Sequence, residues 1–149
     1  MKKMLILIGV LCITSLGFAK MNDGVFRSEA KDFDKRGWKV FLDLTVKDGK
    51  IESANFDYIN KDGKLKSEDV EYNKKYKEIS KIDVPELKEI FSEELVQTQN
   101  PDEIEDVAGA TESLVQFKLL SKEAIIASES GVKEPVRIDL SNELELSIF

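Results

Sequence analysis

Between residues 38 and 47 apolar and polar side chains alternate. Trp38, Val40, Leu42, Leu44 and Val46 take one set of positions, and Lys39, Phe41, Asp43, Thr45 and Lys47 take the other. A period of two puts each set on one face of a strand, and the apolar set marks the buried face. Asp48-Gly49 follows, a pair that accepts the positive φ angles of a two-residue hairpin turn. Residues 51–59 return as the partner strand, with Ala54, Phe56 and Tyr58 on one face. Upstream, residues 24–30 read as a first strand, and the charged run 31–37 as the turn that leaves it.

After Asn60-Lys61-Asp62-Gly63 the alternation stops. A lysine-rich stretch to Lys81 contains Tyr72 and Tyr76, four apart, and this spacing fits a short helix. Asp83 is placed to cap a second helix with Pro85 in its first turn, where a missing N–H costs nothing. Leu87, Ile90, Phe91 and Leu95 form its apolar stripe, and Asn100-Pro101 marks its exit. A last helix is predicted from about Thr111 to Ser128, with Leu114, Phe117, Leu120, Ala124 and Ile125 inward. Ser113 and Gln116 have the spacing of a capping box. Beyond Gly131 a loose alternation (Val136, Ile138, Leu140, then Leu144, Leu146, Ile148) reads as edge strands or a tail. The expected class is α+β, a small antiparallel sheet with hairpins packed against two or three helices. One domain spans residues 20–130, and 131–149 form a C-terminal extension.

The N-terminus does not belong to that pattern. Lys2 and Lys3 precede an apolar run from Met4 to Ile13, and Gly17-Phe18-Ala19 supplies small residues where a signal peptidase requires them. Residues 1–19 therefore read as a signal peptide. A membrane anchor needs about 20 apolar residues, and Thr14, Ser15 and Gly17 interrupt this run first. The expected localisation is extracytoplasmic: secreted, periplasmic or associated with the cell envelope. Cys12 is the single cysteine and lies within the apolar run, with Leu11 before it where a lipidation motif has a small residue.

Composition narrows the chemistry. Cleavage after Ala19 would remove the only cysteine and leave the mature chain no thiol for a disulfide, a zinc site or a nucleophile. The chain has no histidine, which rules out Ser-His and Cys-His hydrolases. A net charge of −7, which becomes more negative on loss of Lys2 and Lys3, argues against nucleic acid as a partner. Asn60-Lys61-Asp62-Gly63 has part of the spacing of a calcium loop. That pattern requires Asp at position 58 and Glu at position 69, where the chain has Tyr58 and Asp69, so a hairpin turn is the reading and no metal site is expected. What remains is carboxylate or hydroxyl chemistry, or a cofactor that brings its own reactivity.

The candidate site lies between the last two helices. Glu105 and Asp106 are followed by Val107-Ala108-Gly109-Ala110, small residues that allow close approach of another molecule, and then by Thr111 at the helix start. A helix N-terminus offers unpaired N–H groups and positive potential to a phosphate. The same segment is equally an ordinary small-residue turn with Thr111 or Ser113 as N-cap.

From Asp23 to about Ala127 the chain resembles the FMN-binding domain family. That family includes flavin-bearing subunits of sodium-pumping and related membrane redox complexes, and secreted or lipid-anchored bacterial flavoproteins. The segments that carry the resemblance are Asp23-Gly24-Val25-Phe26, Arg36-Gly37-Trp38-Lys39-Val40, residues 45–51, residues 56–63 and residues 107–113. The resemblance implies FMN as cofactor, esterified through its phosphate to Thr111 by a separate flavin transferase that uses FAD as donor. Gly109, Ala110, Ser113 and Asp106 are the other implied FMN-binding residues. Trp38, Phe56, Tyr58 and Phe117 are candidate ring neighbours. The family pattern of Asp, two variable residues and Ser before Gly-Ala-Thr becomes Glu105, Asp106-Val107 and Ala108 here. The implied role is an electron carrier with membrane or extracytoplasmic redox partners, rather than an enzyme with its own substrate. The alternative is a surface structural or binding module that keeps the fold without flavin.

Overall fold

The computed structural model describes residues 20–141. The signal-peptide reading and the positions Leu144, Leu146 and Ile148 lie outside the described residues. Strands β1 (Gly24–Ala30), β2 (Trp38–Lys47) and β3 (Lys50–Asn60) form an antiparallel meander. The β2–β3 turn is tight because Asp48 and Gly49 both adopt positive φ, 52° and 71°. The Asp23 carboxylate secures it by accepting a hydrogen bond from the Gly49 N–H at 3.0 Å.

Three helices follow, α1 (Val70–Ser80), α2 (Val84–Thr98) and α3 (Thr111–Ser130), and then a short strand β4 (Val136–Ile138). The sheet order is β3-β2-β1-β4. The architecture is α+β, as the alternation predicts. One feature of the sheet differs: β4 pairs with β1 in parallel, Ser28 facing Val136. A strand that returns to the far edge by way of α3 arrives in that direction, so the extension after Gly131 begins as an edge strand.

The helix signals work as local chemistry. Asp83 accepts from the Glu86 N–H and Glu86 reaches back to the Asp83 N–H, a complete capping box ahead of α2. α2 places Leu87, Phe91 and Leu95 inward. Their counterparts are Phe56 on β3 and Phe117 on α3. The ring centroids of Phe56, Phe91 and Phe117 lie 5.0–6.2 Å apart in tilted and edge-on pairs. Each such buried side chain contributes roughly 1.5–3 kcal/mol, and together they lock α2 and α3 onto the sheet. The open edge of β3 is closed by side chains. Gln99 accepts from the Ile51 N–H at 2.8 Å and donates to the Ile51 carbonyl at 2.9 Å, as a neighbouring strand would.

The start of α3 departs from expectation. Its N-cap is Ala110, and no side chain caps it. Ser113 and Gln116 do not form the anticipated capping box. The helix begins three residues earlier than that box requires, so both side chains lie on the inward side of its first turns and meet Tyr58 instead.

Candidate functional site

A cleft of about 740 Å³ opens between the N-terminus of α3, the start of β2, the end of β3 and α1. Each wall has an identifiable local cause. On one side the β1–β2 turn is knotted by Asp34, whose carboxylate accepts from the N–H groups of Arg36 and Trp38 at 2.8 and 2.9 Å. This fixes the backbone at Trp38, the entry to β2. Opposite, α1 presents Tyr72 and Tyr76, stacked with centroids 5.8 Å apart and planes 17° from parallel. Tyr58 of β3 stands between them at the base, 7 % exposed. Its hydroxyl donates to Gln116 Oε1 at 2.7 Å and accepts from Ser113 Oγ at 2.9 Å.

Lys66 completes the site. It belongs to a single 3₁₀ turn (Lys66–Glu68) between β3 and α1. Only 6 % of the residue is exposed. Its ammonium lies 4.3 Å from the ring centre of Tyr58, 4.8 Å from that of Tyr72 and 5.3 Å from that of Trp38. No carboxylate of the described residues pairs with it. Burial lowers its pKa, and the charges of Asp34, Glu112 and Asp57 oppose that shift only in part. The three ring faces stabilise the cation by their quadrupoles, but they supply no hydrogen-bond acceptor for its three N–H groups.

Two buried polar residues hold the turn in place. Asn73 donates to the carbonyls of Lys66 at 2.9 Å, Ser67 at 3.2 Å and Asp69 at 2.8 Å, and accepts from the Val84 N–H at 3.1 Å. Asp57, fully buried, accepts from the Ser67 hydroxyl at 2.5 Å and pairs with Lys88 of α2 at 2.9 Å. Lys66 is thus anchored at its own carbonyl and through Ser67 and Asp69 after it.

Of the residues singled out from sequence, Gly109, Ala110 and Ser113 line the cleft, as do Trp38 and Tyr58. Thr111 is exposed, between the lining residues Ala110 and Glu112. The first-turn N–H groups of α3, beside this hydroxyl, have no side-chain acceptor. Asp106 is exposed and does not line the cleft. Phe56 and Phe117 are core residues, 1 % and 0 % exposed. Gly109 has a structural reason to be glycine. Its φ is +83°, and a Cβ there would lie 3.0 Å from the Ser80 carbonyl oxygen. The close approach that the small residues permit is to the chain's own α1. Tyr76 reinforces it by donating to the Gly109 carbonyl at 3.1 Å.

Sequence reasoning missed Lys66, Gln116 and the cleft-facing role of Tyr72 and Tyr76. The tyrosine spacing was a usable signal. Lys66 had none, since it is one lysine within a lysine-rich stretch. The Asn60 loop is a turn whose side-chain oxygen accepts from the N–H groups of Asp62 and Lys64.

Comparison with other proteins gives a consistent lineage. The chain is 31% identical over 130 residues to the 15 kDa lipoprotein of Treponema pallidum (strain Nichols), covering 85% of this chain and 92% of that protein. It belongs to the family of that lipoprotein. A crystal structure of a protein from Clostridium perfringens superposes with a TM-score of 0.77 at 32% identity, over 81% of this chain and 99% of that one. A solution NMR structure of a protein from Clostridium thermocellum gives 0.51 at 32% identity, over 73% and 93%. No protein-family model matches the chain. The family therefore recurs in a spirochaete and in clostridia with the fold retained along most of the domain.

Proposed function

We propose that this protein is a cell-envelope flavoprotein that carries FMN in the cleft between α1 and the start of α3 and relays electrons between extracytoplasmic redox partners. The observation that carries the reading is the buried, unpaired ammonium of Lys66 among three aromatic rings. A planar, electron-poor ring system with anionic oxygens complements such a site, and a volume near 740 Å³ lies within the roughly 300–1,000 Å³ of small-molecule sites. FMN, when bound, supplies the one- and two-electron chemistry. The chain supplies the rest. Trp38 and Tyr72 offer ring faces, Ser113 and Gln116 fix Tyr58, and the uncapped first turn of α3 offers N–H groups to a phosphate.

Thr111 is the attachment point in this reading. Its exposed hydroxyl is accessible to a transferase. Attack of Thr111 Oγ1 on the FMN-side phosphorus of FAD forms the phosphoester, expels AMP and loses the hydroxyl proton. Envelope localisation rests on the N-terminal Lys2-Lys3 and apolar run, and on the name of the Treponema relative as a lipoprotein.

The test is expression of the full chain with and without a flavin transferase, followed by intact mass and absorbance. The expected product carries one FMN, and Thr111→Val loses the covalent adduct while still quenching the fluorescence of added FMN. A wild-type chain that neither gains flavin mass nor quenches FMN overturns the reading in favour of a flavin-free binding module.

A further inference from the structure

Two anion-complementary positions stand in one cleft, and they differ in depth. The first turn of α3 is at the rim, where Thr111 and Glu112 are exposed. Lys66 is at the base with Tyr58 and Gln116, each at least nine-tenths buried. A phosphate reaching the rim is served by backbone N–H groups, which leaves the basal charge for a different part of the ligand. Around Lys66 the surfaces are ring faces, which favour a flat partner over a hydrated phosphate.

We propose that Lys66 is a specificity-determining residue that pairs with the ring end of the flavin, not its phosphate, and so binds the reduced flavin more tightly than the oxidised one. This rests on the flavin reading above. The physical basis is charge. A flavin that has taken up two electrons and one proton carries one more negative charge on its ring than the oxidised form. A cation held in a poorly hydrated site interacts with that charge far more strongly than in water. Asp34 and Glu112, at the margin of the cleft, and Asp57, behind the 3₁₀ turn, weaken this preference, and Arg36 strengthens it. Asn73 and Asp57 hold the backbone at Lys66 and just after it, and the Leu65 bridge to Ile59 holds it just before, so the lysine keeps its place at the base of the cleft. The preference for the electron-rich form is therefore built into the fold.

The experiment compares the full-length wild type, Lys66→Met and Lys66→Arg. Each is titrated with FMN and with riboflavin, which lacks the phosphate, and the bound flavins are reduced with dithionite in anaerobic spectroelectrochemistry. Lys66→Met is expected to weaken reduced flavin at least tenfold more than oxidised flavin, a midpoint lower by about 30 mV for a two-electron couple. The shift is expected for FMN and riboflavin alike, and Lys66→Arg is expected to stay within about threefold of wild type because it keeps the charge. Near-UV circular dichroism identifies a folded variant, and Lys66→Gln takes the place of Lys66→Met if the latter does not fold. An unchanged midpoint in the folded, charge-free variant overturns the inference. So does a loss confined to FMN with riboflavin unaffected, which assigns the charge to the phosphate. Both results leave the flavin reading standing. A wild type that takes up neither flavin removes that reading and this inference together.

Discussion

The Tyr58 hydroxyl ties β3 to α3 by hydrogen bonds to Ser113 and Gln116. Burial pushes its pKa well above 10, and the hydrogen bond from Ser113 offsets only part of that shift. The sign of the linkage follows directly. A phenol whose folded pKa exceeds its unfolded value contributes stability that is complete below about pH 10 and is lost as pH rises through the folded value. In an alkaline absorbance titration, Tyr58 is therefore expected to ionise only as near-UV dichroism collapses. Tyr58→Phe removes that late component and leaves Gln116 Oε1 without its donor, at a cost of about 1–2 kcal/mol in urea denaturation. A variant within about 0.3 kcal/mol of wild type would show that this junction contributes nothing to stability. At this scale the sequence was legible in part. Tyr58 could be placed on the inward face of β3 by alternation alone. Its partners could not, because Ser113 and Gln116 have spacing that serves equally well for a capping box. Only the position of the first helical turn decides between the two. Gly109 carries a similar ambiguity. Glycine beside a helix start suits a ligand's approach and an approach by the chain itself, and here Ser80 occupies the space.

The β2–β3 hairpin and the start of α2 announced themselves in the sequence. The β2–β3 hairpin rests on ten residues of alternation and a turn pair with its own φ requirement. The start of α2 rests on Asp83, Pro85 and Glu86, three neighbours whose roles do not depend on the rest of the fold. The 3₁₀ turn that carries Lys66 has no such signature. It exists because Asn73, seven residues further on, gathers two of its carbonyls and that of Asp69 after it, and because Asp57 on β3 holds Ser67. Both causes lie outside the turn. Asn73→Ala is expected to cost roughly 2–4 kcal/mol, since it leaves the Ser67 carbonyl and the Val84 N–H unpaired. The loss should also loosen the cleft, so that FMN quenching weakens in parallel with the fall in the urea midpoint. If stability falls and quenching is untouched, the turn does not position Lys66 for a ligand.

At the scale of the molecule, the cleft draws on regions that are far apart in the chain. Its lining runs from Ala30 and the β1–β2 turn, through Tyr58, Lys66 and α1, to the first turn of α3 and on to Ile138 at the end of β4 and Leu140 just beyond it. The latter two hang on the sheet by little: β4 is three residues long, and the Lys31 N–H donates to the Ile138 carbonyl at 2.8 Å. Helix α2, by contrast, supplies only Val84 to the lining and is held by the Phe56–Phe91–Phe117 cluster. A ligand that binds only the folded state adds stability by mass action, about 2.7 kcal/mol at a hundred times its dissociation constant. Segments that open locally gain protection when the ligand must be released for them to open. Hydrogen exchange with saturating FMN is therefore expected to slow most over residues 31–38, 66–76, 110–113 and 136–141, with α2 after its first turn changed least below global unfolding. The edge strand is the sensitive reporter, because the ligand would tie a weakly anchored segment to the rest of the fold. Protection gained along α2 while 136–141 exchanges as before would place the ligand elsewhere on the molecule.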